Sequence, residues 1–247
     1  MSELELREAS LDNHVFESVN GVLSELPAGS SFVYGSHALC CLLNDSGIAG
    51  SRERCCCVDG QNFEYVIARD IDIAFIEGRV PDYKIWEIAN AVCEVSEGSY
   101  RLDPHVIIVD DDQYLIKRYA IDPDYLSTIL TVSGVEVLDP PSLLLMRALY
   151  GCIRPKDVNR IMLELSLVET PIFLESRCLM ALNIMIQSVF ENPSSLPINT
   201  LKYMIGLLPQ DQQERYIRSL KKYRNFIRQR MGAKTTVNEV TPGINFL

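Results

Sequence analysis

Along the first 25 residues leucine and valine recur at helical spacing (Leu4, Leu6, Leu11, Val15, Val19, Val22, Leu23), which predicts a helix that ends at Pro27 and Gly29. The period then changes. In SSFVYGSHALCCLL, Phe32 to Tyr34 reads as a short strand, Gly35-Ser36 as a turn and His37 to Leu43 as an apolar helix. Residues 44–62 mix glycine, serine and charge and predict a loop, after which FEYVIARDIDIAFIEG is a long strand pattern. Tyr83 to Val95 is helical in pattern, and HVIIV at 105–109 reads as a buried strand bounded by Asp103-Pro104 and Asp110-Asp111-Asp112. Strands and helices in this order predict an α/β (α+β) unit on a small sheet. From Pro140 on, only helical patterns follow, separated by turns with proline: LDPPSLLLMRALYGCIRPKDVNRIMLEL, SRCLMALNIMIQSVF, NTLKYMIGLL and DQQERYIRSLKKYRNFIRQRMG. The expected division is 1–139 and 140–247, with the closing TTVNEVTPGINFL either flexible or docked on a neighbour.

Composition narrows the classes. A chain of 247 residues with 47% hydrophobic content can bury one substantial core or two modest ones. The formal charge of −10 argues against a non-specific nucleic-acid coat. That charge is unevenly spread: residues 215–234 hold eight cations and no acid, so the other 227 residues carry −18. Within this segment Tyr216, Leu220, Tyr223 and Ile227 follow the stripe of a packed helical face, which turns Lys221, Lys222, Arg224 and Arg228 outward as candidate nucleic-acid contacts. The acidic, amphipathic start lacks the basic and apolar pattern of a signal peptide, and no run of eighteen apolar residues occurs, so a soluble cytoplasmic protein with no membrane partner is expected. The eight cysteines include the adjacent sets Cys40-Cys41 and Cys55-Cys56-Cys57, which suit neither disulfides nor the C-x-x-C spacing of zinc sites, and free thiols are expected.

The chemistry concentrates in ARDIDIAFIEG. Asp70 and Asp72 are separated by one isoleucine, so in a strand both carboxylates leave the same face. Such a pair is tolerable at a solvent-open strand end, or where a divalent cation supplies the opposite charge. Upstream, Gly35 permits a sharp turn out of a strand, Ser36 adds a hydroxyl, and the helix starting there offers free amide donors to a phosphate. A triphosphate held at that helix start, with Mg²⁺ or Mn²⁺ joining its oxygens to the two aspartates, is the arrangement of metal-assisted nucleotidyl transfer.

The combination VYGSHALCCL with RDIDIAFI resembles the nucleotidyltransferase superfamily of the DNA polymerase β type, in which a strand, G-S or G-G and a helix are followed by hDhDh. More narrowly, VEVLDPPSLLLMRALYGCIRPKDVNRIMLEL is similar to the segment that follows the catalytic sheet in AbiEii-like and MenT-like toxin nucleotidyltransferases. The resemblance covers about residues 31–165 and implies a polymerase-β-like domain with a small mixed sheet, followed by a helical carboxy-terminal domain. It implies that Gly35 and Ser36 contact an NTP, that Asp70 and Asp72 hold Mg²⁺, and that Arg69 is the basic residue preceding the D-x-D. Arg154, Lys156 and Asp157 match its R-x-K-D segment, and Arg147 stands where the group usually has a lysine. A third catalytic carboxylate is implied on the next strand, assigned to Asp103 ahead of Asp110 to Asp112. The stretch between Ser36 and Asp70 is longer than the superfamily usually shows. The function implied is transfer of an NMP to a hydroxyl of RNA, tRNA included, or of protein, by the toxin of a toxin-antitoxin or phage-defence pair with an antitoxin as partner. The alternatives are a catalytically inactive nucleotide-binding protein and a nucleic-acid-binding module built on the basic helix.

Plainer readings stand beside these. Asp110 to Asp112 suit a solvated strand end, His37 a helix-start cap and His105 a half-buried side chain. Arg154 and Lys156 read equally as surface ion-pair partners and as phosphate ligands.

Overall fold

The computed structural model describes residues 14–46, 70–107, 115, 118–121, 128–149, 161, 164–165, 167, 176–191 and 198–230. At 176, 198–200 and 222–230 only the helical backbone is described. The protein is mixed α/β, with a five-stranded mixed sheet. Its strands are β1 (Ser31–Tyr34), β2 (Asp70–Ile76), β3 (Arg101–Ile107), β4 (Ile129–Val132) and β5 (Val135–Leu138), in the spatial order β3-β2-β1-β5-β4. β1 runs antiparallel to β2 and parallel to β5, β2 parallel to β3, and β4 antiparallel to β5. The helices are α1 (14–23), α2 (Gly35–Asp45), α3 (Asp82–Val95), α4 (Pro140–Leu149), α5 (Ser176–Glu191), α6 (Ile198–Gly206) and α7 (Gln210–Arg230).

The central strands are apolar because both of their faces are covered: all four residues of β1 are buried, as are Ile71 and the run Ile73 to Ile76 of β2. α1 contributes Phe16, Val19 and Leu23 to this core, and α3 contributes Ile85, Ile88 and Val92. A second apolar cluster joins α5, α6 and Tyr216 of α7. α4 serves both clusters, giving Leu143 and Met146 to the first and Leu144, Leu145 and Ala148 to the second. Its start is fixed by Asp139, which accepts the Ser142 amide at 3.0 Å and is gripped from α5 by Arg177 at 3.0 and 3.3 Å.

Two strands differ from the sequence expectation. β3 begins at Arg101, four residues before the predicted start, and much of it is exposed rather than buried. Pro104 lies inside it, which an edge strand tolerates because the missing amide breaks no central ladder. The β4–β5 hairpin was not anticipated. Its turn is Ser133-Gly134, with φ of 50° and 81°, the left-handed pair that a two-residue hairpin of type I′ requires. Elsewhere the predicted elements recur with shifted ends: α2 starts two residues earlier, at Gly35, and the described part of the long strand is Asp70–Ile76. The predicted strand residues 63–69, the predicted loop beyond residue 46 and Asp110 to Asp112 lie outside the described residues.

Candidate active site

Register brings the chemistry-bearing residues together. Across the parallel β2–β3 pair, Asp70 is opposite Arg101, Asp72 opposite Asp103 and Ala74 opposite His105. Because paired residues of neighbouring strands share a face, Asp70, Asp72, Arg101, Asp103 and His105 leave the sheet on one side. The residues that alternate with the aspartates, Ile71 and Ile73, turn the other way and are fully buried. On the inner side Tyr34 of β1 is the partner of Asp72, so the end of β1 and the starts of β2 and β3 meet at one place.

Burial is graded across this face. Asp70 is exposed, Asp72 half-buried and Ala74 fully buried, while the Asp103 carboxylate is exposed. His105 is half-exposed, its Nε2 3.7 Å from the Asp103 carboxylate and its ring centroid 6.0 Å from that of Tyr34. Tyr34 in turn packs edge-on against the buried Tyr119, 5.2 Å between ring centroids. This aromatic packing forms the inner wall of the carboxylate face.

Gly35 shows why the turn from β1 into α2 is built as it is. Its φ is +68°, a conformation that L side chains rarely adopt. A Cβ placed on it would fall on the Asp72 carboxylate, meeting Oδ2 and lying 3.1 Å from Cγ. Glycine is thus required twice, by the backbone and by the carboxylate seated against it. Ser36 follows at the first turn of α2, partly exposed, in a turn with no acidic residue of its own. His37, by contrast, is fully buried: its Nε2 donates to Asn20 Oδ1 at 2.9 Å, and the rings of Phe16 and Tyr100 lie 5.0 and 6.0 Å away. It ties α1 to the start of α2 and lies away from solvent.

The remaining predicted site residues are not all brought here. The Arg147 guanidinium is held by the fully buried Glu164, with Nε 3.0 and 3.2 Å from its two carboxylate oxygens. Arg69, Arg154, Lys156 and Asp157 lie outside the described residues. Lys221 is exposed on α7, and Lys222, Arg224 and Arg228 lie on the same helical backbone. Two neighbours went unclaimed in the sequence, Arg101 beside Asp70 and His105 beside Asp103. Period two in Arg-Leu-Asp-Pro-His carries that signal once Pro104 is accepted within the strand.

Three carboxylates on one face repel one another, and hard oxygen donors of this kind suit Mg²⁺ or Mn²⁺. The seat cut for the Asp72 carboxylate at Gly35 fits that use. As the side chains stand, no three His, Cys, Asp or Glu groups among the described residues converge on a common metal position. Of the described cysteines, Cys41 and Cys178 are buried, Cys40 is half-buried and Cys93 is exposed. No helix among the described residues is long and apolar enough to cross a membrane.

The chain matches no protein-family model, no curated protein and no solved structure.

Proposed function

We propose that the chain is a metal-dependent nucleotidyltransferase, with a polymerase-β-like domain over 1–139 and a helical domain over 140–247. It moves an NMP from an NTP to a hydroxyl of a macromolecule, RNA and in particular tRNA, as the toxin of a toxin-antitoxin or phage-defence pair. The observation that carries this reading is the pairing of Asp72 with Asp103 beside Gly35, which joins the D-x-D, the next strand's carboxylate and the glycine-serine turn at one place.

In the reaction, the acceptor oxygen bonds to the α-phosphorus, the bond from that phosphorus to the pyrophosphate oxygen breaks, and the hydroxyl proton passes to a base. Asp70 and Asp72 would hold Mg²⁺ or Mn²⁺, which supplies charge neutralisation at the phosphates. Gly35 and Ser36 present the start of α2 to the triphosphate. Asp103, on the outer strand, faces the acceptor and takes its proton, with His105 alongside. The basic α7 supplies the acceptor surface. Arg215, Arg218 and Lys221 are exposed there and form no ion pair among the described residues, which favours an external polyanion over acids of the same chain.

The test is incubation with each labelled NTP, Mg²⁺ and total cellular RNA or protein. Label should pass to one acceptor class. Melting in the presence of NTP, with and without Mg²⁺, accompanies it, and the stabilisation should depend on the metal. The spread of the carboxylates as they stand favours a second reading, a nucleotide-binding protein without turnover, which would give the metal-dependent melting shift and no labelled product.

A further inference from the structure

β3 is an edge of the described sheet, and its first residue, Arg101, stands directly opposite Asp70. Arg101 is the only arginine or lysine that β2 or β3 carries, and it lies on the face that holds Asp70, Asp72 and Asp103. Opposite charges facing each other across two strands ordinarily pair. Here both residues are exposed, and among the described residues neither forms an ion pair. The guanidinium is thus left to a group from outside the chain, and its planar fork of N–H donors matches the oxygens of a phosphate.

Position decides which phosphate. The triphosphate is assigned to Gly35 and Ser36 at the end of β1, and β2 separates β1 from β3, about 10 Å at the usual spacing of neighbouring strands. Arg101 therefore lies on the far side of the carboxylates from that turn, where the acceptor enters. Along β3 it is two residues from Asp103, about 6.6 Å, which is comparable to one sugar between a ribose hydroxyl and the phosphate of the same nucleotide. We propose that Arg101 holds the acceptor phosphate nearest the reacting hydroxyl, so that the site takes a polynucleotide and not a protein. A serine, threonine or tyrosine hydroxyl brings no phosphate with it. This assignment rests on the nucleotidyltransferase reading. Arg101 forms and breaks no covalent bond in that reaction: it fixes the hydroxyl against Asp103 and offsets the repulsion between three carboxylates and the charge of the acceptor.

The measurement is fluorescence anisotropy of a short labelled single-stranded RNA with Mg²⁺ and a non-hydrolysable NTP, which needs no turnover. Arg101→Gln should bind about tenfold more weakly, and its slope of log affinity against log salt should be shallower by about 0.7, the value of one single-strand phosphate contact. Arg101→Lys should restore the slope and part of the affinity, because it keeps the charge and loses the fork. Uncharged methylphosphonates placed one at a time along the RNA locate the contact. The one beside the hydroxyl that takes the label should weaken wild type and leave Arg101→Gln unaffected. In label transfer, Arg101→Gln should raise KM for the RNA more than it lowers kcat, with KM for the NTP unmoved. Its melting shift with NTP and Mg²⁺ should match that of wild type, which shows the metal site intact. Wild-type affinity and slope in Arg101→Gln, equal losses from the methylphosphonate in both proteins, or label that passes to protein and not to RNA would each overturn the proposal. A wild type with neither melting shift nor labelled product would instead sink the nucleotidyltransferase reading, and the anisotropy comparison would still decide whether Arg101 holds an RNA phosphate.

Discussion

Asp72 and Asp103 are direct partners across the parallel β2–β3 pair, on the face of the sheet that also carries Asp70. Neighbouring strands lie about 4.8 Å apart, so this is the closest cross-strand approach the sheet offers two carboxylates. A fold that sets like charges there gives up stability unless a cation joins them.

Substituting Asp70, Asp72 or Asp103 by Asn should therefore separate function from fold. Each change removes one charge from the cluster while keeping the shape of the side chain. Label transfer should fall by about a hundredfold or more for each. Stability by urea denaturation should stay within about 1 kcal/mol or rise. Wild-type transfer in the Asp103 variant would move the third carboxylate elsewhere, with Asp110 to Asp112 the next to try.

Gly35→Ala should fail on both counts. Its methyl must displace the Asp72 carboxylate, and its backbone must hold a φ of +68°. The backbone term alone is about 1 to 2 kcal/mol. Gly98→Ala is the matched control, since φ there is +76° with nothing within 4 Å of the added carbon. Denaturation should show the larger loss at Gly35, and transfer should disappear only there. Equal losses and intact transfer at both positions would mean that the Asp72 seat has no part in the reaction.

The site was legible in the sequence as far as local periodicity reaches. Asp70 and Asp72 share a face because a strand alternates, and Gly35 marks a turn because few other residues adopt its φ. What places Asp103 opposite Asp72 is the length of the α3 crossover and the sliding of one strand on another, which no local pattern encodes. Proline misled the boundary of β3: it reads as a terminator, yet on an edge strand its missing amide leaves no gap in the ladder. The β4–β5 hairpin did carry its signal, Ser133-Gly134 between two short apolar runs. Partner choice is the least legible of all. The Gly29 amide lies 2.8 and 2.9 Å from the Glu136 carboxylate oxygens, 107 residues away, and Arg147 is claimed by Glu164 from a different segment.

That last pair gives a prediction about stability. Glu164 is completely buried, and its charge is met by Arg147. Arg147→Ala should destabilise the protein by about 3 to 5 kcal/mol, because an unpaired buried carboxylate remains, and Arg147→Lys should fall between the two. The double change Arg147→Met/Glu164→Leu should recover most of the loss. If Arg147→Ala leaves the urea midpoint unchanged and instead weakens NTP binding, the guanidinium serves the phosphates and not Glu164.

The terminal helix supplies the remaining test, and the structure sharpens its terms. Tyr216 is buried and Leu220 packs beside it, as the apolar stripe required, and Lys221 faces solvent. Cations on an exposed helix face within a chain of net charge −10 serve either a polyanion or the chain's own acids. Replacing Lys221, Lys222, Arg224 and Arg228 by Gln removes four charges and keeps length and helix propensity. RNA affinity should fall, and the slope of log affinity against log salt should become shallower by about 0.7 for each lost single-strand phosphate contact, or about 0.9 for each duplex contact. The melting temperature should hardly move, because exposed charges contribute little to stability. A lower melting temperature with an unchanged salt slope would assign the cations to contacts within the protein and leave the acceptor to be sought on another surface.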